Sequence, residues 1–167
     1  MRVLTIYASP NPQSFCHALL EQFTRGLNDA GHESEVVDLY AIKFNPVLDM
    51  SDGVFFAHES VPAEMLERMN LKAGALSLAR NPISRFLLKH WLQDKETPDL
   101  IKLFRAHQPK DVVAQQEKVA RAEALAFVSP IYWMGFPAIL KGWIERVFSY
   151  GFAYSLTPNG WQGEVAG

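Results

Sequence analysis

Apolar residues fall in short unbroken runs at some points of the chain and at helical spacing at others. Val3 to Ala8 is apolar without clean alternation, which fits a strand buried on both faces of a parallel sheet. Ser9-Pro10-Asn11-Pro12-Gln13 reads as a loop, because each proline opposes continued regular structure. Ser14 reads as a helix N-cap; Phe15, Leu19, Phe23 and Leu27 then mark one helical face, with Ala18 and Leu20 beside them. Gly31 ends that helix, and Glu35–Leu39 predicts a second strand. Asn45-Pro46 and Ser51-Asp52-Gly53 punctuate a loop. Glu64 to His107 reads as mostly helical, broken at Asn81-Pro82 and Thr97-Pro98. Asp111–Ala122 predicts a helix with Val112, Val113, Gln116, Val119 and Ala120 on one face, and Asp111 suits its first turn. Ala124–Val128 predicts a third buried strand. Pro137 opens a last helix running to Tyr150. Its apolar stripe is Ile139, Leu140, Trp143, Ile144, Val147 and Phe148, with Lys141 and Glu145 paired on the other side.

This order predicts an α/β domain, a doubly wound and mostly parallel sheet with helices on both faces, spanning residues 1–167 as one unit. Ligands of such sheets bind at the carboxyl ends of the strands, where the loops Ser9–Ser14 and Ser129–Phe136 emerge. A helix beginning at Ser14 offers free N–H groups and a positive dipole end to a phosphate, and Ser9, Ser14 and Asn11 add donors. A serine that only caps its helix accounts for the same residues. Neither G-x-x-x-x-G-K-[ST] nor G-x-G-x-x-G occurs. The second loop is unusual, because surface loops prefer polar residues and this one holds Ile131, Tyr132, Trp133, Met134 and Phe136. Such residues serve either as core or dimer edge, or as the dry wall of a flat ligand. Paired with a phosphate loop on the same sheet edge, they favour a phosphorylated planar cofactor, and flavin fits that pairing.

Composition narrows the classes. Of 167 residues, 49% are hydrophobic and 20% charged, so one sizeable core is expected. The formal net charge of -2 gives no electrostatic argument for nucleic acid or an anionic membrane. Cys16 is the one cysteine, so no intrachain disulfide and no thiolate zinc cluster is expected. His17, His32, His58, His90 and His107 lack metal-ligand spacing, so no metal is expected. Cys16 and His17 are adjacent on a helix and point apart, and no G-x-S-x-G elbow occurs. Trp91 and Trp161 are assigned packing roles only. The start "MRVLTIYASP" lacks the apolar core of a signal peptide, and no stretch approaches a membrane span of about 20 apolar residues. A cytoplasmic location without membrane insertion is expected.

The stretch "PIYWMGFPAILKGWIERVFSYGFAY", Pro130 to Tyr154, resembles the flavodoxin-like NAD(P)H:quinone oxidoreductases of the DT-diaphorase type. That family shows W-F/M-G-x-P, then P-A-I-L-K-G-W-x-E-R-V-F and an F-A-Y ending; "ASPNPQSF" and "VVDLYAIKFNPVL" add to the resemblance. It implies a flavodoxin-like fold and an NAD(P)H dehydrogenase (quinone)-like enzyme working by a ping-pong cycle. Ser9, Ser14, Phe15 and Cys16 would hold the flavin phosphate region. Pro130, Ile131, Tyr132, Trp133 and Met134 would line the isoalloxazine, with Trp133 beside the ring. The long segment between the second and third strands is similar to that of the FAD-using branch, so FAD is expected, with FMN as the alternative and NADH or NADPH as co-substrate. The resemblance also implies a homodimer whose interface includes the last helix and the Phe152–Tyr154 segment. Phe152 and Tyr154 would reach the partner's site and cover a quinone-like acceptor, with Tyr154 as catalytic hydrogen-bond donor. Two positions depart from the family: Ser9 stands where a histidine is common, and Leu156 where a tyrosine is. The family continues with further strands, whereas "WQGEVAG" reads as turn-like text. The expectation is therefore a sheet lacking its C-terminal strands, with the third strand at an edge and the chain unstable by itself. Two other roles stand beside the enzyme: a regulatory flavoprotein subunit of a potassium efflux system, and a non-enzymatic remnant without flavin.

Overall fold

The computed structural model describes residues 1–48, 52, 71–77, 79, 81–96, 98–100, 109–157 and 160–163. Ser51, Gly53, His58, Glu64, Thr97 and His107 lie outside the described residues. The chain divides into two compact units, Met1–Val47 with Asp111–Val147, and Leu48–Lys110 with Phe148–Gly167.

In the first unit, β1 (Arg2–Tyr7) is the central strand of a parallel sheet, between β2 (Glu33–Asp38) and β3 (Ala124–Val128). The register runs from Arg2↔Glu33 to Tyr7↔Asp38 on one side and from Val3↔Ala124 to Tyr7↔Val128 on the other. Val3, Leu4, Thr5, Ile6 and Tyr7 are all buried, as expected for a strand covered on both faces. Among the described residues β3 is an edge strand, matching the sequence expectation.

Strand alternation shows which helix covers which face. Tyr7 and its partner Val128 pack against Cys16 and Leu20 of α1 (Phe15–Asp29), so α1 covers the Val3, Thr5, Tyr7 face. Phe127, paired with Ile6, meets the Trp143 ring of α5 (Ala138–Val147) at 6.1 Å, so α5 covers the opposite face. Glu35, paired with Leu4, forms an ion pair with Lys118 of α4 (Lys110–Arg121), which places α4 there too. Helices on both faces of a parallel sheet make the doubly wound arrangement read from the sequence.

Several faces differ from the periodicity reading. On α1, Phe15 is 82% exposed, and Leu19 and Phe23 are exposed as well. The residues that meet the sheet are Cys16 and Leu20, which pack on Tyr7 and Val128. On α4 the buried residues are Val112, Gln115 and Val119. Gln115 Oε1 is buried because it accepts the Trp143 indole N–H at 3.3 Å. Gln116 donates to the Val147 carbonyl at 3.0 Å, where α5 ends, short of the expected Tyr150.

In the second unit, α2 (Leu71–Ser77) and α3 (Pro82–Trp91) accompany a small core of Ala75, Leu92 and Leu100. Asn81-Pro82 starts a helix rather than interrupting one: Asn81 and Ser84 form a capping box, and proline is favoured in the first turn. The ending read as turn-like is an antiparallel hairpin of β4 (Tyr154–Thr157) and β5 (Gly160–Gly163). Gly160, which opens β5 opposite Thr157, has φ +107°, a conformation glycine adopts freely. Among the described residues no helix is long and apolar enough to cross a membrane.

Candidate functional site at the carboxyl edge of the sheet

Parallel strands send the chain out of the sheet on the same side. Ala8 N–H donates to Val128 O at 3.0 Å, so the loops after β1 and β3 leave side by side, about 5 Å apart at their roots.

In the first loop, Asn11 Oδ1 accepts from Gln13 N–H at 2.9 Å and Asn11 O from Ser14 N–H at 3.2 Å. These bonds turn the chain into α1. Ser14 is the N-cap, its Oγ accepting from His17 N–H at 3.3 Å. Ser9 is buried, with Oγ 3.1 Å from Ser14 Oγ. Among the described residues the N–H groups of Phe15 and Cys16 have no hydrogen-bond acceptor. Two open N–H groups, two hydroxyls and the positive helix end form an anion cradle. Phe15 and Cys16 enter it through their backbone, since the Phe15 side chain is exposed and that of Cys16 packs on Tyr7, Leu20 and Val128.

The second loop is a tight turn. Tyr132 N–H donates to Gly135 O at 2.9 Å and Gly135 N–H to Tyr132 O at 3.0 Å. The two residues between, Trp133 and Met134, both have positive φ, +49° and +65°. That is a type I′ turn, which normally takes Asn-Gly. For side chains this large the left-handed region costs roughly 1–2 kcal/mol per residue. Both are also fully exposed, and Ile131 is exposed beside them. Strain combined with bare apolar surface is a cost that folding does not recover, and such strain concentrates at functional sites. The N–H groups of Ile131, Trp133 and Met134 have no acceptor among the described residues. An exposed aromatic surface with open N–H donors beside a helix start that can hold an anion is what a flavin requires, so the residues present fit that group.

Three comparisons with known proteins bear on the chain. A family model described as flavodoxin-like fold matches residues 1–167. The chain belongs to the flavodoxin-like family. Within it, the chain is 33% identical over 154 residues to NAD(P)H dehydrogenase (quinone) 1 of Cavia porcellus, covering 92% of this chain and 45% of that protein. It is 30% identical to ribosyldihydronicotinamide dehydrogenase (quinone) of Rattus norvegicus, covering 93% of this chain and 54% of that one. The solved NAD(P)H:quinone oxidoreductase of Methanothermobacter marburgensis superposes with a TM-score of 0.57 at 32% identity, over 93% of this chain and 57% of that chain. The flavodoxin-like chain thus spans about half the length of the curated relatives it matches.

Ser9, Ser14, Phe15 and Cys16 come together at the α1 start, and Pro130, Ile131, Tyr132, Trp133 and Met134 in and around the strained turn. Phe152 and Tyr154 belong to the second unit, where Tyr154 packs edge-on against Tyr150 at 5.8 Å and Trp161 at 5.8 Å. Trp161, read as packing only, is 68% exposed at the end of that cluster. The supports of the site also escaped the sequence reading. Arg146 is buried on α5, donating to Asp111 Oδ2 at 2.6 Å and to the Asn45 carbonyl at 2.7 Å. Gly142 lets the chain pass: a Cβ there would lie 2.6 Å from Pro46 Cα and closer still to its carbonyl oxygen. The "K-G-W-I-E-R" string was the available signal for both.

Proposed function

We propose that this chain forms the flavin-holding part of an NAD(P)H-dependent oxidoreductase that reduces quinones or similar acceptors. The observation that carries the reading is the Trp133–Met134 turn, strained and bare, beside the open N–H groups at the start of α1. A bound flavin would supply hydride transfer chemistry, which no side chain offers. Ser9, Ser14 and the N–H groups of Phe15 and Cys16 bind the cofactor phosphate. Trp133 and Met134 exclude water from one side of the ring, and the free N–H groups of Ile131, Trp133 and Met134 donate to its polar edge. Pro130 and Tyr132 fix the turn that presents them. FAD is the proposed form, FMN the alternative, and NADH or NADPH the electron source. The protein works as a homodimer in the cytoplasm, with Phe152 and Tyr154 covering the acceptor in the partner's site. The Tyr154 hydroxyl donates to the acceptor oxygen as negative charge develops there. The relatives' names, all quinone or nicotinamide dehydrogenases, support this reading.

The test replaces the strained pair by the residues the turn prefers. Trp133→Asn/Met134→Gly is expected to stabilise the fold by about 1–2 kcal/mol, because Asn-Gly suits both left-handed positions. The same variant should bind flavin at least about tenfold more weakly and lose NAD(P)H-driven reduction of a soluble quinone, for want of aromatic contact. A variant that gains stability and keeps full flavin affinity removes this turn from the site.

A further inference from the structure

The loop after β2 closes as helices often do at their carboxyl ends. Phe44 N–H donates to Leu39 O at 3.0 Å and Lys43 N–H to Tyr40 O at 3.1 Å. These two bonds make a Schellman motif, whose next-to-last residue is left-handed and is usually glycine, sometimes asparagine. Here that residue is Lys43, with φ +51°. Among the described residues, Lys43, Trp133 and Met134 are the non-glycine residues with positive φ, and all three stand in loops at the carboxyl edge of the same sheet. The loops leaving that edge are residues 8–14, 39–48 and 129–137, and Lys43 is the one charged residue they contain. It is exposed, and its ammonium has no hydrogen-bond or ion-pair partner among the described residues. The carboxylate at the root of its loop, Asp38, is engaged by backbone instead, accepting from Tyr40 N–H at 2.9 Å and Ala41 N–H at 3.0 Å. Leu39 N–H donates to Tyr7 O at 3.0 Å, so this loop leaves beside the loop after β1. With β1 central, the edge runs from the Trp133–Met134 turn, past the start of α1, to the Lys43 turn, the strands about 5 Å apart.

We propose that Lys43, on the flavin reading given above, binds the second phosphate of a dinucleotide and so favours FAD over FMN. A flavin with its ring at the β3 loop and a phosphate at the start of α1 occupies two of the three loops in the row. FMN ends there. FAD continues through a second phosphate to its adenosine, and a ligand that keeps its direction across the strand ends carries that phosphate over β2. The start of α1 offers N–H groups and hydroxyls but no full charge, and one phosphate fills them. A lysine supplies the missing charge, as a compact cation on a flexible four-carbon stem. Arg146 cannot take the part, because it is buried and bound to Asp111 and to the Asn45 carbonyl. The left-handed backbone fits the same role: glycine would hold the turn without strain but would bring no charge to the edge.

The experiment is equilibrium dialysis of the full chain against FAD and, separately, against FMN, for the parent and for Lys43→Asn, Lys43→Gly and Lys43→Arg. Asparagine and glycine suit the left-handed position, so both variants should unfold at the parent's temperature or a few degrees above it. The parent is expected to bind FAD more tightly than FMN. Lys43→Asn and Lys43→Gly should weaken FAD about tenfold, the worth of one charged hydrogen bond, and leave FMN within about twofold. Lys43→Arg keeps the charge and should hold FAD within about threefold of the parent. Equal weakening of FAD and FMN overturns the proposal, since Lys43 would then act on the shared phosphate or through the fold. Unchanged FAD affinity in Lys43→Asn overturns it too, as does a parent that prefers FMN. A parent that binds neither flavin ends the flavin reading itself, whereas a parent that binds FAD and variants that match it end only the role of Lys43.

Discussion

Beneath α5 the sheet presents Leu4 and Ile6, and the helix answers with Leu140, Trp143 and Val147, all fully buried. Beneath α1 it presents Thr5 and Tyr7, and the fit is of another kind. Thr5 Oγ1, Tyr7 OH, His17 Nδ1, Thr24 Oγ1 and Ser34 Oγ are buried without a hydrogen-bond partner among the described residues. All five lie on α1 or on the strand face it covers: Ser34 pairs with Val3, so it shares that face with Thr5 and Tyr7. A buried polar group left unpaired costs roughly 1–3 kcal/mol. The polar residues of the opposite layer are joined instead: Gln115 to Trp143, Gln116 to Val147, and Arg146 to Asp111 and Asn45. The comparison teaches where the unit is anchored. The α4–α5 layer holds the fold, and the α1 layer, which carries the anion cradle, is the less committed one.

The largest expected effect comes from closing the space that lets α5 pack. Gly142→Ala should destabilise the fold by about 3 kcal/mol or more, because the added methyl meets Pro46 backbone rather than a side chain that can swing aside. Chemical unfolding measures this. A loss below that of an ordinary surface glycine replacement would show that the Pro46 segment yields, and that the layer is not close-packed. Next is Arg146→Ala, which leaves Asp111 and the Asn45 carbonyl without their shared donor. Asp111 is itself half exposed, so a loss of about 2–3 kcal/mol is expected, the lower end for a broken buried pair. Smallest, and of opposite sign, is Thr5→Val. It swaps an unpaired buried hydroxyl for a methyl of the same shape and should stabilise the protein by about 1 kcal/mol. If Thr5→Val destabilises it instead, the hydroxyl has a partner and the contrast between the two faces fails.

The strands were legible because short unbroken apolar runs such as Val3 to Ala8 suit a strand buried on both faces; Ala124 to Val128 is a strand as read but not a buried one, since β3 is an edge among the described residues and Phe127 is exposed. The Ser14 cap and the Lys141–Glu145 pair were legible because both are local; the pair forms as expected. The phase of α1 was not. Phe15, Leu19 and Phe23 are spaced like Cys16 and Leu20, and periodicity cannot choose between two stripes when the sheet beneath decides. The burial of Arg146 was not legible, since its partners lie 35 and 101 residues away. In the loop after β3 the apolar residues announced a site, but nothing in their order announced the turn within it. The left-handed positions belong to Trp133 and Met134.

The strand order also sets a timetable for the chain as it leaves the ribosome. β1 acquires β2 as soon as Asp38 has emerged, since the two are joined through α1. Its other margin waits for Ala124–Val128. At ~5–20 residues per second, the stretch between Asp38 and Ala124 takes on the order of 4–17 s to make. Through that interval the most buried of the described strands has one row of backbone groups unclaimed, which makes the nascent βαβ unit a natural client for whatever guards emerging chains.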